Sequence, residues 1–314
     1  MYIEQAFKSD YAIWKYLIVP GLFLGLIVLN GIAIYALDLD VEELMRVSIE
    51  QMGELLFFAQ NLILFVVFLA ILFVWTKLVH KQSITSLTTS RKKISWKRIF
   101  FAFGLWGGLT IVITFLDYYM NPDSYVWNFD LPKFAGLAII SILMVPIQTS
   151  FEEYLFRGHM MQGIGSVVKN RWVPLLVTSV IFGLMHISNP EVGKIGPIIM
   201  IYYIGTGLFL GIMTLMDEGL ELALGFHAAN NLITALLVTA DWTAFQTPSL
   251  LRDVSAPATG FDIIIPVFVV FPIILFIFAK VYKWNNWKEK LTGKVIVPED
   301  NTSDKEIDQF FAQE

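Results

Sequence analysis

Residues 55–76 read LLFFAQNLILFVVFLAILFVWT, a run without one charged side chain. A helix that crosses a bilayer needs about 20 mostly apolar residues, so this run predicts a membrane-spanning helix. Other charge-free windows meet or approach that length. They lie at residues 16–37, 99–116, 134–151, 172–190, 195–216, 222–240 and 263–279. We predict an all-α polytopic membrane protein, a helical bundle of about eight transmembrane helices.

The composition supports the same class. Of the 314 residues, 56% are hydrophobic and 16% are charged, whereas a soluble globular chain carries roughly a quarter charged residues. The net charge of -5 gives no basic face for nucleic acid, so we expect the lipid bilayer and no nucleic acid as partners. Cysteine is absent, which excludes disulfide frameworks, thiolate metal sites and cysteine nucleophiles.

The loops differ in charge. Residues 77–98 hold seven basic residues and no acid, and residues 280–294 hold five lysines and one glutamate. Residues 38–54 hold six acids and one arginine, and residues 117–133 carry three aspartates. Short basic loops stay in the cytoplasm. We therefore expect a multi-pass protein of the cell membrane with both termini cytoplasmic.

Four regions follow from these windows. Residues 1–133 hold the first three spans, and residues 134–240 hold the spans with unusual polar residues. Residues 241–294 hold the last span and its basic flank, and residues 295–314 form a polar tail expected in the cytoplasm.

Ionisable residues inside membrane helices are costly and usually functional. The sequence FEEYLFRG at 151–158 follows the fourth window. On a helix Glu153 and Arg157 share a face and can pair, while Glu152 points elsewhere. The alternative is that both glutamates are solvated at the cytoplasmic end of the span.

Two histidines lie in apolar windows. His186 closes the stretch FGLMH that begins at Phe182, and His227 stands four residues before Asn231, on the same helix face. The remaining histidines, His80 and His159, are expected at the membrane interface, outside the site.

This set of side chains suits the hydrolysis of an amide. A glutamate in a poorly solvated site is a usable general base, and an imidazole can share the proton of a bound water. A histidine and an asparagine amide can donate hydrogen bonds to an oxyanion. No HExxH motif is present, so no cofactor is expected, although a zinc ion held by His186, His227 and a glutamate stays an alternative.

In this order the motifs EExxxR, FxxxH and HxxxN resemble those of the CAAX protease and bacteriocin-processing family, which includes the type II CAAX prenyl endopeptidase. The resemblance covers about residues 134–240. It implies an intramembrane glutamate-type endopeptidase, open to the cytoplasm, that cleaves a membrane-associated protein or peptide. The motif residues are Glu152, Glu153, Arg157, Phe182, His186, His227 and Asn231.

By position, the resemblance implies that Glu152 activates water with His186, while His227 and Asn231 hold the oxyanion. Glu153 belongs to the catalytic set with Arg157 as support, and which glutamate is the base stays open. The charge-free windows place Glu152 at the cytoplasmic edge and His186 roughly 20 Å deep. For these residues to meet, the fourth helix must continue through the glutamates.

Two other classes of function remain. A transporter would also place acids and histidines in spans, but paired repeats and broken helices are not found. A non-catalytic immunity or scaffold protein of the same fold would keep the motifs only partly, and here every motif position is filled. The motifs therefore favour an enzyme.

Overall fold

A computed structural model describes residues 1–257 and 260–298; most of the predicted tail at 295–314 therefore lies outside the described residues. Helices dominate the fold. In chain order they are α1 (Ile13–Ala36), α2 (Val41–Met52), α3 (Glu54–Leu78), α4 (Ile84–Thr88), α5 (Trp96–Met120), α6 (Leu131–Glu153), α7 (Met161–Val168), α8 (Trp172–Leu184), α9 (Pro190–Ile195), α10 (Ile199–Asp217), α11 (Glu221–Leu237), α12 (Phe261–Ile265), α13 (Phe271–Val281) and α14 (Trp287–Thr292). Short 3-10 helices span Ile3–Lys8 and Pro122–Ser124.

Six helices in the described residues are long and apolar enough to cross a membrane, which confirms the polytopic helical class. They are Ile13–Ala36, Glu54–Leu78, Trp96–Met120, Leu131–Val168, Ile199–Asp217 and Ile263–Val281. The predicted count of eight is not confirmed, because the other two windows form shorter helices. Helix α8 has 13 residues and α11 has 17.

The fourth span does not end at the glutamates. Helix α6 continues through a π-helical segment, Tyr154–Met160, into α7, so that 38 residues from Leu131 to Val168 form one helix. The charge-free window 134–151 placed the boundary too early, because a buried ion pair rather than solvent satisfies the charges that follow it. Glu152 therefore lies within the helix and not at its edge.

The fifth span ends early. The chain leaves α8 at Leu184, and the amide groups of His186 and Ile187 donate to carbonyls only three residues back. Pro190 then begins the short helix α9. His186 thus stands just beyond the end of a 13-residue helix, and the continuation of α6 past Glu152 removes the mismatch in depth that the windows predicted.

A small sheet closes the face of the bundle that carries the acidic loops. Strands β1 (Tyr125–Trp127), β2 (Val238–Thr239) and β3 (Leu251–Asp253) lie in the order β1-β3-β2, with β1 antiparallel and β2 parallel to β3. The sequence did not predict these strands. They fix the loop that follows α11 against the loop between α5 and α6.

Close helix packing holds α11 in the middle of the bundle. A side chain at Gly225 would collide with the carbonyl oxygen of Ile99, so glycine lets α11 approach α5 closely. In the same way, a side chain at Gly207 would meet the backbone of Ser179, which brings α10 against α8. These contacts place α8, α10 and α11 around the glutamates of α6.

Candidate functional site

Glu153 connects the long helix Leu131–Val168 to α11. Its Oε1 atom accepts a hydrogen bond from Arg157 Nη1 at 2.9 Å and another from His227 Nδ1 at 2.7 Å. All three side chains are buried. The pairing of Glu153 with Arg157 is the one that helical spacing predicted, and the alternative of two solvated glutamates is wrong.

Arg157 has two further contacts. Its Nη2 atom donates to the carbonyl oxygen of Gly207 at 3.1 Å, and its guanidinium carbon lies 4.2 Å from the centre of the Phe182 ring. The same ring is 5.0 Å from that of His186 and 5.9 Å from that of His227. Phe182 therefore packs against Arg157, His186 and His227 at once.

Glu152 points about 100° away from Glu153 around the helix. Its Oε1 atom accepts a hydrogen bond from Gln148 Nε2 at 2.7 Å, and its Oε2 atom lies 3.5 Å from His227 Nε2. The side chain is 3% exposed. The structure thus brings Glu152 to His227, whereas the resemblance made His186 its partner.

A chain of side-chain hydrogen bonds leads to Glu152. The indole of Trp106 donates to Asn230 Oδ1 at 3.1 Å, and Asn230 Nδ2 donates to Asn231 Oδ1 at 3.0 Å. Asn231 Nδ2 then donates to Gln148 Oε1 at 3.1 Å. Since an indole can only donate, each amide in the chain has one orientation. The chain ends with Gln148 donating to the carboxylate.

His186 lines the same cavity but forms no hydrogen bond with Glu152. Its Nδ1 atom lies 2.8 Å from the carbonyl oxygen of Phe182. Because a carbonyl oxygen only accepts, Nδ1 carries the proton and the Nε2 atom of the neutral ring keeps its lone pair. The ring stacks on Tyr203 at 4.5 Å, which fixes its plane.

The other two histidines lie inside the protein. His80 and His159 are fully buried beside Tyr16, with their ring centres 5.0 Å apart. Helix α1 packs over them, and Tyr16 lies 4.3 Å and 4.8 Å from the two rings. Neither lines the cavity at Glu152.

A cavity of about 940 Å³ opens in front of these groups. Its polar wall is formed by Gln148, Glu152, His186, His227, Asn230 and Asn231. Leucine, isoleucine, methionine and phenylalanine side chains from α1, α2 and α3 line the opposite wall. Such a cavity is large enough for an extended peptide segment and presents it with one polar side.

The sequence analysis missed Trp106, Gln148, Asn230 and Tyr203. Gln148 stands four residues before Glu152 in an otherwise apolar window, and this spacing on a helix was the available signal. Asn230 directly precedes Asn231. Nothing in the sequence connects Trp106 or Tyr203 to the site. Trp106 contacts Asn230 and Tyr203 contacts His186, and each contact joins segments that are far apart in the chain.

Among the described residues, 1–257 and 260–298, no three His, Asp or Glu side chains are arranged to hold a metal ion. Of the two ring nitrogens of His227, Nδ1 is bonded to Glu153 Oε1 at 2.7 Å, and Nε2 faces Glu152 Oε2 at 3.5 Å. The expectation that the site needs no cofactor stays a prediction.

Comparisons with known proteins agree with the motifs. The family model described as Rce1-like, type II CAAX prenyl endopeptidase, matches residues 132–233. A relative, the uncharacterized protein YyaK of Bacillus subtilis (strain 168), is 29% identical over 248 residues, which is 74% of this chain and 80% of the relative. No solved structure is significantly similar to the chain. Residues 132–233 of this multi-pass membrane protein are therefore similar to the Rce1-like family, described as type II CAAX prenyl endopeptidase.

Proposed function

We propose that the protein is an intramembrane endopeptidase that hydrolyses a peptide bond with water activated by Glu152. The arrangement of Glu152 on the cavity wall carries this proposal. One carboxylate oxygen accepts from Gln148, and the other faces His227 Nε2 at 3.5 Å. That second oxygen is free to accept a proton from a water molecule in the cavity.

The reaction needs no group beyond these side chains and water. Water attacks the carbonyl carbon of the peptide bond, and its proton moves to Glu152 Oε2. When the tetrahedral intermediate collapses, the carbon–nitrogen bond breaks and the same proton passes to the leaving amine. The products are a carboxylic acid and an amine, which become a carboxylate and an ammonium ion when the second proton of the water passes between them, and the Glu152 carboxylate is regenerated.

The remaining motif residues hold this geometry and stabilise the oxyanion. Glu153 fixes the ring of His227 through Nδ1 and is itself held by Arg157. The doubly protonated ring of His227 carries an Nε2–H beside the Nδ1–H that Glu153 accepts, and this Nε2–H and the second N–H of Asn231 supply the donors that an oxyanion requires. The lone pair of His186 Nε2 orients the attacking water. Glu152 is therefore the base, and Glu153 is a positioning residue.

We also propose that both termini lie in the cytoplasm. The described ends of the chain meet at one face of the bundle, where Glu4 pairs with Arg171 and Asn170 bridges to Lys294. The basic segments 77–98 and 280–294 lie at this face too, and short basic loops stay cytoplasmic.

The substrate is a membrane-associated protein or peptide, because the base lies within a membrane-spanning helix and its cavity has an apolar wall. The test compares the membrane-bound and secreted peptides of cells that carry the wild-type protein with those of a Glu152→Ala strain at equal expression. We expect at least one cleaved terminus that is present only with the wild type. Identical peptide sets would favour a non-catalytic immunity or scaffold protein.

A further inference from the structure

The loops of the protein form two faces that differ in charge. The basic face contains residues 77–98, 217–221 and 280–294, and contacts such as the hydrogen bond from Leu220 N to Thr88 O join its parts. The acidic face contains residues 38–54, 117–133, 188–196 and 238–253, joined by the sheet and by the ion pair between Lys194 and Glu42 at 2.9 Å.

The cavity at Glu152 reaches only one of these faces. Its lining includes loop residues of the acidic face from α2, from 188–191 and from 238–245. Its lining includes no residue from 77–98, 217–221 or 280–294. The cavity therefore runs from the glutamates toward the acidic loops.

The site is closed on the basic side. His227 lies six residues after Glu221, which is about 9 Å along a helix, and Glu221 accepts from the Ser95 amide of the basic face. On this side, Leu87 and Leu220 of the basic face are buried together with Tyr154 in one hydrophobic cluster. The Tyr154 hydroxyl is 2.8 Å from Thr88 Oγ1. This layer leaves no path for a peptide from the basic face.

The apolar wall shows what kind of segment the cavity accepts. Helix α2 contributes Val41, Leu44, Met45 and Ser48, which share one face of that helix. No residue of α2 is buried, so this face is open to the cavity. The opposite face of α2 is acidic, as expected for a helix that lies at a membrane surface.

We propose that the scissile segment is an apolar stretch of peptide that reaches Glu152 from the extracytoplasmic side of the membrane, beneath α2. This inference rests on the proposed function and on the cytoplasmic position of the basic face. It differs from the cytoplasmic opening that the resemblance implied. Access from the extracytoplasmic side and an opening to the cytoplasm exclude each other here, because the basic loops and the cavity mouth lie on opposite faces.

Cysteine labelling tests the side of access, since the natural chain has no cysteine. The variants Ser48→Cys and Ser188→Cys place a thiol on the cavity wall, and Ser90→Cys is a matched control on the basic face. Right-side-out membrane vesicles are treated with a membrane-impermeant maleimide before and after permeabilisation. We expect the first two variants to be modified in sealed vesicles and Ser90→Cys only after permeabilisation. The reverse pattern would overturn the inference.

A second readout separates this inference from the proposed function. If a maleimide added outside modifies Ser188→Cys while Glu152→Ala changes no peptide, the direction of access stands and the protease proposal fails. If Glu152→Ala removes a cleaved terminus while Ser188→Cys reacts only after permeabilisation, the protease proposal stands and the direction of access is wrong. Each combination of results therefore supports one of the two claims and contradicts the other.

Discussion

The side-chain amide of Asn231 donates a hydrogen bond to Gln148 Oε1 at 3.1 Å, and Gln148 in turn donates to Glu152. Asn231 therefore has two roles. One N–H orients the glutamine that holds the base, and the other is available for the oxyanion. A loss of Asn231 would disturb both, so its variants alone cannot separate positioning from stabilisation of the oxyanion. Variants of Trp106, the donor at the far end of this chain of hydrogen bonds, can separate the two roles.

Trp106→Phe removes that donor and keeps an aromatic ring against Phe226, which lies 4.5 Å away. A hydrogen bond contributes about 1 kcal/mol, so we expect kcat to fall about fivefold with KM unchanged. The assay uses a substrate found in the peptide comparison. Trp96→Phe is the matched control, because Trp96 begins the same helix and is exposed. Equal rates for the two variants would contradict a positioning role for Trp106.

Arg157→Met should unfold the protein more readily, because it leaves the buried carboxylate of Glu153 without its cation. Breaking a buried pair costs about 3–5 kcal/mol, and the double variant with Glu153→Gln should recover part of the loss. Arg46→Met is the control, since Arg46 pairs with Glu43 at the surface, where such a pair contributes about 0–1 kcal/mol. Thermal melting in detergent measures all three. Equal melting temperatures for Arg157→Met and Arg46→Met would show that the buried pair does not stabilise the fold.

Gly225→Ala should push α11 away from α5, because the added methyl group meets the carbonyl oxygen of Ile99. Overpacking of this kind costs about 1–3 kcal/mol, and it displaces His227 two residues later. Gly104→Ala is the control on α5, where nothing lies near an added side chain. We expect lower stability and activity for Gly225→Ala only. Unchanged melting temperature for that variant would contradict the close contact of the two helices.

Chelators test the metal-free reaction. Because no described cluster of three His, Asp or Glu residues can hold a metal ion, we expect the purified protein to keep its activity after prolonged treatment with strong chelators. Activity that is lost on chelation and restored by zinc would instead make His186 and His227 metal ligands. Addition of zinc to untreated protein is the control for inhibition by excess metal.

The long helices could be predicted from charge-free windows, because length and apolar composition decide whether a helix can span a bilayer. The residues at which the helices end could not be predicted from these windows. Window 172–190 contains no charge, yet α8 ends at Leu184, since the stop depends on the turn before Pro190. Window 134–151 stops at a charge, although the helix continues because the charge of Glu153 is paired.

The site was predictable in part. The spacing of Glu153 and Arg157 predicted their ion pair, which the structure contains. The contact between Glu152 and His227 could not be predicted, because it depends on how α6 and α11 pack. The direction in which the cavity opens could not be predicted either, because it depends on which loops line the cavity, and these come from distant parts of the sequence.

The central claim is that Glu152 removes a proton from water, and turnover by Glu152→Gln in reconstituted vesicles tests it most directly. The substrate is one whose cleavage the peptide comparison reveals, and the melting temperature is measured beside the rate. Glutamine keeps the size of the side chain but accepts no proton at neutral pH, so the rate should fall by about 10²–10⁴-fold. The melting temperature should not fall, since a charge leaves a buried site. Normal turnover by Glu152→Gln would contradict the claim and would make Glu153 the candidate base.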